Sequence, residues 1–359
     1  MGLNRDGNSD VNMFKDINIE DALAMENRCL VDVRSPAEYE EATIPGAINI
    51  PLFADGERRL LGTIYREEGP AKAKMAGLEM ASPRLAELVG SIISSCQGKT
   101  PIIFCWRGGM RSRALTAIFA SLAMDVYRIK GGYKAFRRLV LREFATYRLQ
   151  AEVLILDGLT GVGKTMILRR LQSRGHPVLD LEALAGHRGS VFGGLGIMQQ
   201  KGQKTFDALL WERLGELRGS SHLLMEGESK RIGRVYLPDF LYCAIRGGKR
   251  IKVEASLALR VERILQDYAH VGPTVGREIE GALARLTKRL GKNLVAHLKS
   301  MLKEGNIDTF VETLLVSYYD PLYRRSQLSE RNYELLVGAD DIDGAVAKIE
   351  AYLRENYPG

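Results

Sequence analysis

Cys105 is the residue best placed to do chemistry. It closes the apolar run Pro101-Ile102-Ile103-Phe104 and opens the loop CWRGGMR, residues 105–111, and a helical pattern starts near Ser112. A thiolate needs stabilisation to exist at neutral pH. Inward-pointing loop N–H groups, a helix N-terminus and Arg107, Arg111 or Arg113 can supply it. Gly108 and Gly109 let the backbone curl towards an anion. Trp106, Arg107, Gly108, Gly109, Met110 and Arg111 would then form an anion cradle with the Cys105 sulfur at its floor. Two chemistries share this arrangement. One is sulfur or selenium transfer through a persulfide or selenosulfide. The other is phosphate-ester hydrolysis through a phosphocysteine, for which C-x5-R followed by Ser is the expected spacing. The other cysteines, Cys29, Cys96 and Cys243, sit in or beside apolar stretches and read as small buried hydrophobes. With no C-x-x-C pair, the cysteines do not suggest a zinc site.

The second chemical stretch is GLTGVGKT, Gly158 to Thr165, a full G-x-x-x-x-G-K-T motif. It follows the apolar run VLILD and precedes the helical pattern MILRRLQ, the setting in which this motif cradles a di- or triphosphate. Gly158, Thr160, Gly161 and Gly163 would shape the nest of N–H groups. Lys164 would act as a mobile cation, and Thr165 is available to Mg²⁺. Asp180 and Glu226 end two predicted strands and are candidates to hold Mg²⁺ through water; a carboxylate capping a loop explains them equally well. The Gly-rich run 185–196 carries His187, Arg188 and Ser190 and reads as a substrate-facing loop. Glu228, Ser229, Lys230 and Arg231 cluster just past a strand end, where ligand sites of α/β proteins form. The run 318–326, YYDPLYRRS, offers tyrosines and arginines that could stack on bases, although a Tyr-rich helix end packed on its own domain explains it as well.

Two series of elements must position these loops. In the first half, strands are expected at 29–35, within 44–51, at 101–105 and in VYRIKGGY. Helices are expected at PAEYEEA, started by Ser35 and Pro36, at ASPRLAELVGSIISSC with Ser82 as N-cap, at 112–123 and at KAFRRLVLREFATY. The second half repeats the alternation, with strands at VLILD, 176–181, 222–227 and 250–256, and helical patterns over 257–304, 307–320 and 341–356. Strands alternating with helices imply α/β domains built on mainly parallel sheets. At 359 residues the chain is long enough for about two domains. The division is expected at 145/146, giving domains 1–145 and 146–359.

Composition narrows the classes of function. The chain is 45% hydrophobic and 26% charged, as in soluble globular proteins. It has no apolar run of membrane-spanning length, and its N-terminus has no apolar signal core, so no membrane association and a cytoplasmic location are expected. The net charge of +7 is uneven. Residues 101–150 carry 10 Lys/Arg against 2 Asp/Glu, and residues 244–299 carry 12 against 5. Two basic segments on a balanced background suggest contact with a polyanion.

The flanks of the cysteine loop resemble rhodanese-family domains. LVDVRSPAEYEEATIPGAINIP is similar to their opening strand, short helix and turn, and VYRIKGGYKAF to their closing strand and turn. The resemblance covers roughly residues 16–140 and implies that Asp32 and Arg34 are structural. The loop is one residue longer than is usual in single rhodaneses, as in rhodanese-fold phosphatases. Joined to GLTGVGKT, LDLEALAGHRGSVFG and EGESKRIG in this order, it makes nearly the whole chain resemble the tRNA 2-selenouridine synthase family.

That resemblance implies a rhodanese-like parallel-sheet domain followed by a P-loop NTPase-like α/β domain with a helical C-terminal part. It implies that 2-thiouridine at the tRNA wobble position is converted to 2-selenouridine with selenophosphate, through an S-geranyl intermediate made from geranyl diphosphate. Cys105 would be the essential selenation residue, residues 106–111 would hold selenophosphate, and the P-loop would hold the diphosphate. Both a selenosulfide on Cys105 and attack by Cys105 at C2 are compatible with these residues. The implied partners are the anticodon region of tRNA and the enzyme that makes selenophosphate; no tightly bound cofactor is implied. Two rivals fit the same residues: a cysteine phosphatase domain fused to a small-molecule kinase-like domain, and a non-enzymatic tRNA- or nucleotide-binding protein.

Overall fold

The computed structural model describes residues 15–187, 200–268, 275–322 and 332–358. The chain divides into two compact units, Met1–Thr146 with Asp207–Leu209, and Tyr147–Phe206 with Leu210–Gly359. The expected division at 145/146 did not anticipate the grouping of Asp207–Leu209 with the first unit. Each unit is an α/β domain on a parallel sheet.

The first unit carries strands β1 (Lys15–Ile17), β2 (Arg28–Asp32), β3 (Ile48–Asn49), β4 (Thr100–Phe104) and β5 (Tyr127–Ile129) in the order β1-β5-β4-β2-β3. Every pairing is parallel. The central strand β4 is buried over Pro101–Phe104, so its apolar run has no polar face to alternate with. Val31, Ile103, Leu115 and Phe119 pack with Ile92 and Cys96 into one core. The short helix Pro36–Glu41 starts as its sequence suggests. Ser35 and Glu38 form a reciprocal capping box, and proline sits in the first turn.

Ser82 does not cap a helix. A helix Pro70–Ala81 arrives from upstream and passes through a tight 3₁₀ turn, Ser82–Arg84, into the helix Leu85–Cys96. The Ser82 N–H bonds Leu78 O, and its hydroxyl reaches back to Glu79 O at 3.4 Å. A residue at the end of one helix has no orphan N–H groups ahead of it to satisfy.

The second unit carries β6 (Glu152–Asp157), β7 (His222–Glu226), β8 (Arg231–Ile232), β9 (Val235–Tyr236), β10 (Lys249–Glu254) and β11 (Leu335–Gly338). The parallel sheet runs β11-β10-β6-β7, and β8 and β9 form a small antiparallel hairpin. Leu154, Leu156, Ile167, Leu168, Leu171 and Ile251 pack with Val346 and Ile349 of the helix Ile342–Asn356. The expected strand at 176–181 is reduced to a single bridge, Val178 to Leu224. Pro177 has no N–H to continue a ladder, and Asp180 turns the chain into the helix Leu181–Ala185.

The helical pattern over 257–304 is divided into Leu257–Tyr268, Val275–Leu290 and Lys292–Glu304. With Ile307–Leu314 these helices enclose a core of their own around Leu283, Leu298, Phe310, Leu315, Tyr318 and Tyr319. Tyr318 and Tyr319 are therefore packing residues, which removes them as base-stacking candidates; residues 323–326 of that run lie outside the described residues.

Candidate functional site

Each unit presents one site where its sheet strands end at their C-terminal edge. In the first, Cys105 follows β4 directly and is almost fully buried. Its sulfur receives the Gly109 N–H at 3.2 Å and lies 3.3 Å from the Ser112 hydroxyl. Gly109 is the N-cap of the helix Met110–Ser121, so the sulfur sits at the positive end of a helix dipole. An N–H, a hydroxyl and a helix N-terminus converge on one sulfur, an arrangement suited to an anionic ligand beside it.

The loop is held from outside by the turn after β5. Tyr133 N donates to Cys105 O at 2.9 Å, and Lys134 N to Trp106 O at 3.0 Å. The approach is so close that only glycine fits. A Cβ at Gly132 would lie 2.1 Å from Cys105 O, and one at Gly108 would lie 2.6 Å from Ile129 O, each at positive φ. The G-G-aromatic turn thus serves as the mould for the cysteine loop.

The cradle residues divide into two groups. Arg107, Gly109 and Met110 are exposed on the loop, and Arg113, Lys130, Lys134 and Arg138 are exposed on the segments that follow it. Arg111 has turned inward to a bidentate pair with Glu38, at 2.5 and 3.1 Å. Burial works against the charged form of Glu38, but the Arg111 guanidinium outweighs it and holds the carboxyl below its ordinary range. Glu38 also accepts from Ser35 N at 3.2 Å, so the capping box of one helix anchors the arginine of the loop. Sequence reasoning missed Glu38 and Ser112 as parts of the site. Ser112 ends the quoted motif, but nothing in the spacing connects Glu38 to residue 111.

Asp32 and Arg34 are structural. Both are buried and locked in a fork of hydrogen bonds of 2.6 to 3.0 Å. Arg34 also reaches Ala42 O at 2.6 Å and lies over the Tyr133 ring at 4.4 Å.

In the second unit, residues 158–165 join β6 to the helix Lys164–Ser173. Lys164 Nζ bonds the carbonyls of Gly158 and Leu159 at 3.0 and 3.2 Å, folded over its own loop. The Thr165 hydroxyl donates to Glu226 at 2.5 Å. Carboxylate oxygens of Glu226, Glu228 and Glu182 all lie within 4.8 Å of one another. Burial first, and the Glu226 charge second, push Glu182 up to about 9 and Glu228 up to about 7. Crowding three carboxyls is costly unless protons or a cation neutralise them. Glu182 was not predicted, since a glutamate in the first turn of a short helix has many uses.

The other expected residues are held by local contacts, although the Asp180 charge acts on both Glu182 and Glu228. Asp180 caps the helix Leu181–Ala185 by accepting from Ala183 N at 2.9 Å, the structural alternative weighed for it. Ser229 bonds Arg231 O at 2.6 Å, Arg231 bonds Gly233 O at 2.9 Å and lies over the Tyr236 ring, and Lys230 pairs with Asp239. These three shape the β8–β9 hairpin. His187 packs against Gly233, and burial lowers its basicity. Arg188 and Ser190 lie outside the described residues.

Comparison with known proteins places the chain. Residues 151–357 match the tRNA 2-selenouridine synthase AAA domain family, and residues 17–139 match the rhodanese-like domain family. The chain belongs to the tRNA 2-selenouridine synthase family. It is 34% identical to the tRNA 2-selenouridine synthase of Nitrosomonas europaea, over 86% of this chain and 92% of that protein. It is 32% identical to that of a Sulfurovum strain, over 93% and 96%, and 33% identical to that of Ectopseudomonas mendocina, over 93% and 94%. Among the described residues no helix is long and apolar enough to cross a membrane.

Proposed function

We propose that this protein is a cytoplasmic enzyme that replaces sulfur by selenium at C2 of 2-thiouridine in the wobble position of tRNA. It uses selenophosphate, after geranylation of the sulfur by geranyl diphosphate. The observation that carries this reading is the pairing, in one chain of this family, of a buried thiol under an anion cradle with a loop built for a diphosphate. In the first step the thiocarbonyl sulfur attacks C1 of geranyl diphosphate, the C–O bond breaks, diphosphate leaves and N3 gives up its proton. The N–H groups of residues 158–165 and Lys164 stabilise the charge that builds on the departing diphosphate. For this Lys164 exchanges its two loop carbonyls for phosphate oxygens.

A divalent cation such as Mg²⁺ fits the residues beside this loop, since three crowded carboxyls and a hydroxyl are hard oxygen donors. Thr165 and Glu226 would hold it, with Glu228 and Glu182 completing the acidic wall. When bound, such an ion neutralises phosphate charge.

Geranylation turns a poor leaving group into a good one. In the second step the selenium of selenophosphate attacks C2, the C2–S bond breaks and geranylthiolate leaves to be protonated as the thiol. Water then cleaves the Se–P bond, releasing phosphate and leaving 2-selenouridine, and the Cys105 loop holds the donor for this exchange. The helix N-terminus beside Cys105 receives the anionic donor, and the exposed cations Arg107, Arg113, Lys130, Lys134 and Arg138 receive tRNA phosphates. Membership of the tRNA 2-selenouridine synthase family favours this reading over a cysteine phosphatase, since the Arg111–Glu38 pair bears alike on either anion. Mass spectrometry of the wobble nucleosides tests it. tRNA incubated with the protein, geranyl diphosphate and selenophosphate should yield 2-selenouridine, with the geranylated nucleoside accumulating when selenophosphate is omitted. Unchanged 2-thiouridine, or its loss without either product, would overturn the proposal.

A further inference from the structure

A phosphate-binding nest turns its N–H groups inward, so its carbonyls must turn outward and find donors elsewhere. Lys164 holds two of them, at Gly158 and Leu159. Two more are held by arginines of the helix Leu257–Tyr268. Arg260 Nε donates to Thr160 O at 2.8 Å, and Arg263 Nη1 donates to Val162 O at 2.9 Å. Arg263 uses Nη2 on Ala339 O at 2.5 Å, after β11. Arg260 uses its remaining nitrogens on Asp320, at 2.5 and 3.1 Å. Arg260 is 4% exposed and Asp320 7%. Asp320 directly follows the widened π-helical turn Leu315–Tyr319, whose residues Leu315, Tyr318 and Tyr319 are fixed in the helical core.

We infer that Arg260, oriented by Asp320, and Arg263 are positioning residues that hold the phosphate loop in its anion-binding form before ligand arrives. All three Arg260 nitrogens and both Nη atoms of Arg263 are bonded to carbonyls or to a carboxylate, so they act on the diphosphate through the loop rather than by touching it. Arginine is required because one planar fork must serve two partners at fixed angles, which an ammonium cannot do. Preorganisation of this kind lowers the cost of binding and keeps the N–H groups aimed at the leaving group. It also explains why a chain segment about a hundred residues downstream of the loop is built into it. The inference rests on the proposal that this loop binds geranyl diphosphate.

The test uses the full-length protein with Arg260→Lys, Arg263→Lys and Asp320→Asn. Lysine at 260 keeps a cation beside Asp320 but gives up the bond to Thr160. Calorimetric titration should show geranyl diphosphate binding weakened by about tenfold in Arg260→Lys, the loss of roughly one charge-assisted hydrogen bond. The KM for geranyl diphosphate should rise in step, with kcat changed less. Selenation of tRNA that already carries the S-geranyl group should proceed at the wild-type rate, because that step uses the Cys105 loop. Arg263→Lys and Asp320→Asn should shift the same parameters in the same direction. Wild-type affinity and KM in all three variants, or an equal loss of both steps, would overturn the positioning role. Failure of the wild-type protein itself to bind geranyl diphosphate would instead overturn the functional proposal on which it rests.

Discussion

At the scale of single residues, the cysteine site depends on contacts too close for any side chain. Gly132 lies against Cys105 O and Gly108 N, and both Gly132 and Gly108 adopt positive φ. Replacing Gly132 by Ala should destabilise the first unit by ~2–4 kcal/mol and abolish selenation, because the turn and the loop cannot both stay in place. Chemical denaturation followed by fluorescence measures it, and a stability within ~0.5 kcal/mol of wild type would contradict this account of the loop. Much of the site was legible at this scale: Cys105 and its glycines, Lys164 and Thr165 all announce themselves by type and spacing. What was not legible depends on chain segments far apart in sequence. Arg111 is paired with Glu38, and Glu182 meets Glu226 and Glu228. Asp180, Ser229 and Arg231 have the right chemistry but are used by local turns, and only hydrogen-bond geometry reveals that.

At the scale of elements, apolar periodicity located the strands that carry both loops, β4 and β6, and the helices that follow them. It failed where an element has little to bury. The helix Asp55–Glu67 has no buried residue, and with Pro70–Ala81 it was not anticipated, although Gly69 and Pro70 mark the break between them. The four-residue strand β11 was missed because it is short, and the expected strand at 176–181 shrinks to one bridge because Pro177 has no N–H with which to extend a ladder. A helix with no fully buried side chain, only Leu61 partly packed on the core, should open locally at small cost. Amides of Asp55–Glu67 should therefore exchange with deuterium well before those of Thr100–Phe104 in a hydrogen-exchange mass-spectrometry time course. Equal protection of the two segments would show that the helix is covered by something else.

At the scale of the whole molecule, the two α/β units and their order were readable because each opens on a motif whose flanks are specific. The charge distribution was only partly informative. Residues 101–150 carry a large basic excess, yet Arg111, Arg128 and Arg142 are engaged in ion pairs, while Arg107, Arg113, Lys130, Lys134 and Arg138 are exposed. If these cations hold tRNA phosphates, log affinity should fall linearly with log salt concentration, by roughly 0.7 to 0.9 for each phosphate neutralised. Filter binding from low to physiological salt measures the slope. Replacing Lys130, Lys134 and Arg138 together by Gln should flatten it by about 2, whereas an unchanged slope would place the RNA on another surface.

The central claim is a division of labour between the two loops, and one measurement addresses it directly. Wobble nucleosides from tRNA treated with Cys105→Ala or Lys164→Ala protein, in the presence of geranyl diphosphate and selenophosphate, are quantified by mass spectrometry. Cys105→Ala should accumulate S-geranyl-2-thiouridine and form no 2-selenouridine. Lys164→Ala should lose geranylation by about a hundredfold or more, and should still selenate tRNA supplied already geranylated. If both variants failed at the same step, the assignment of one reaction to each loop would be contradicted.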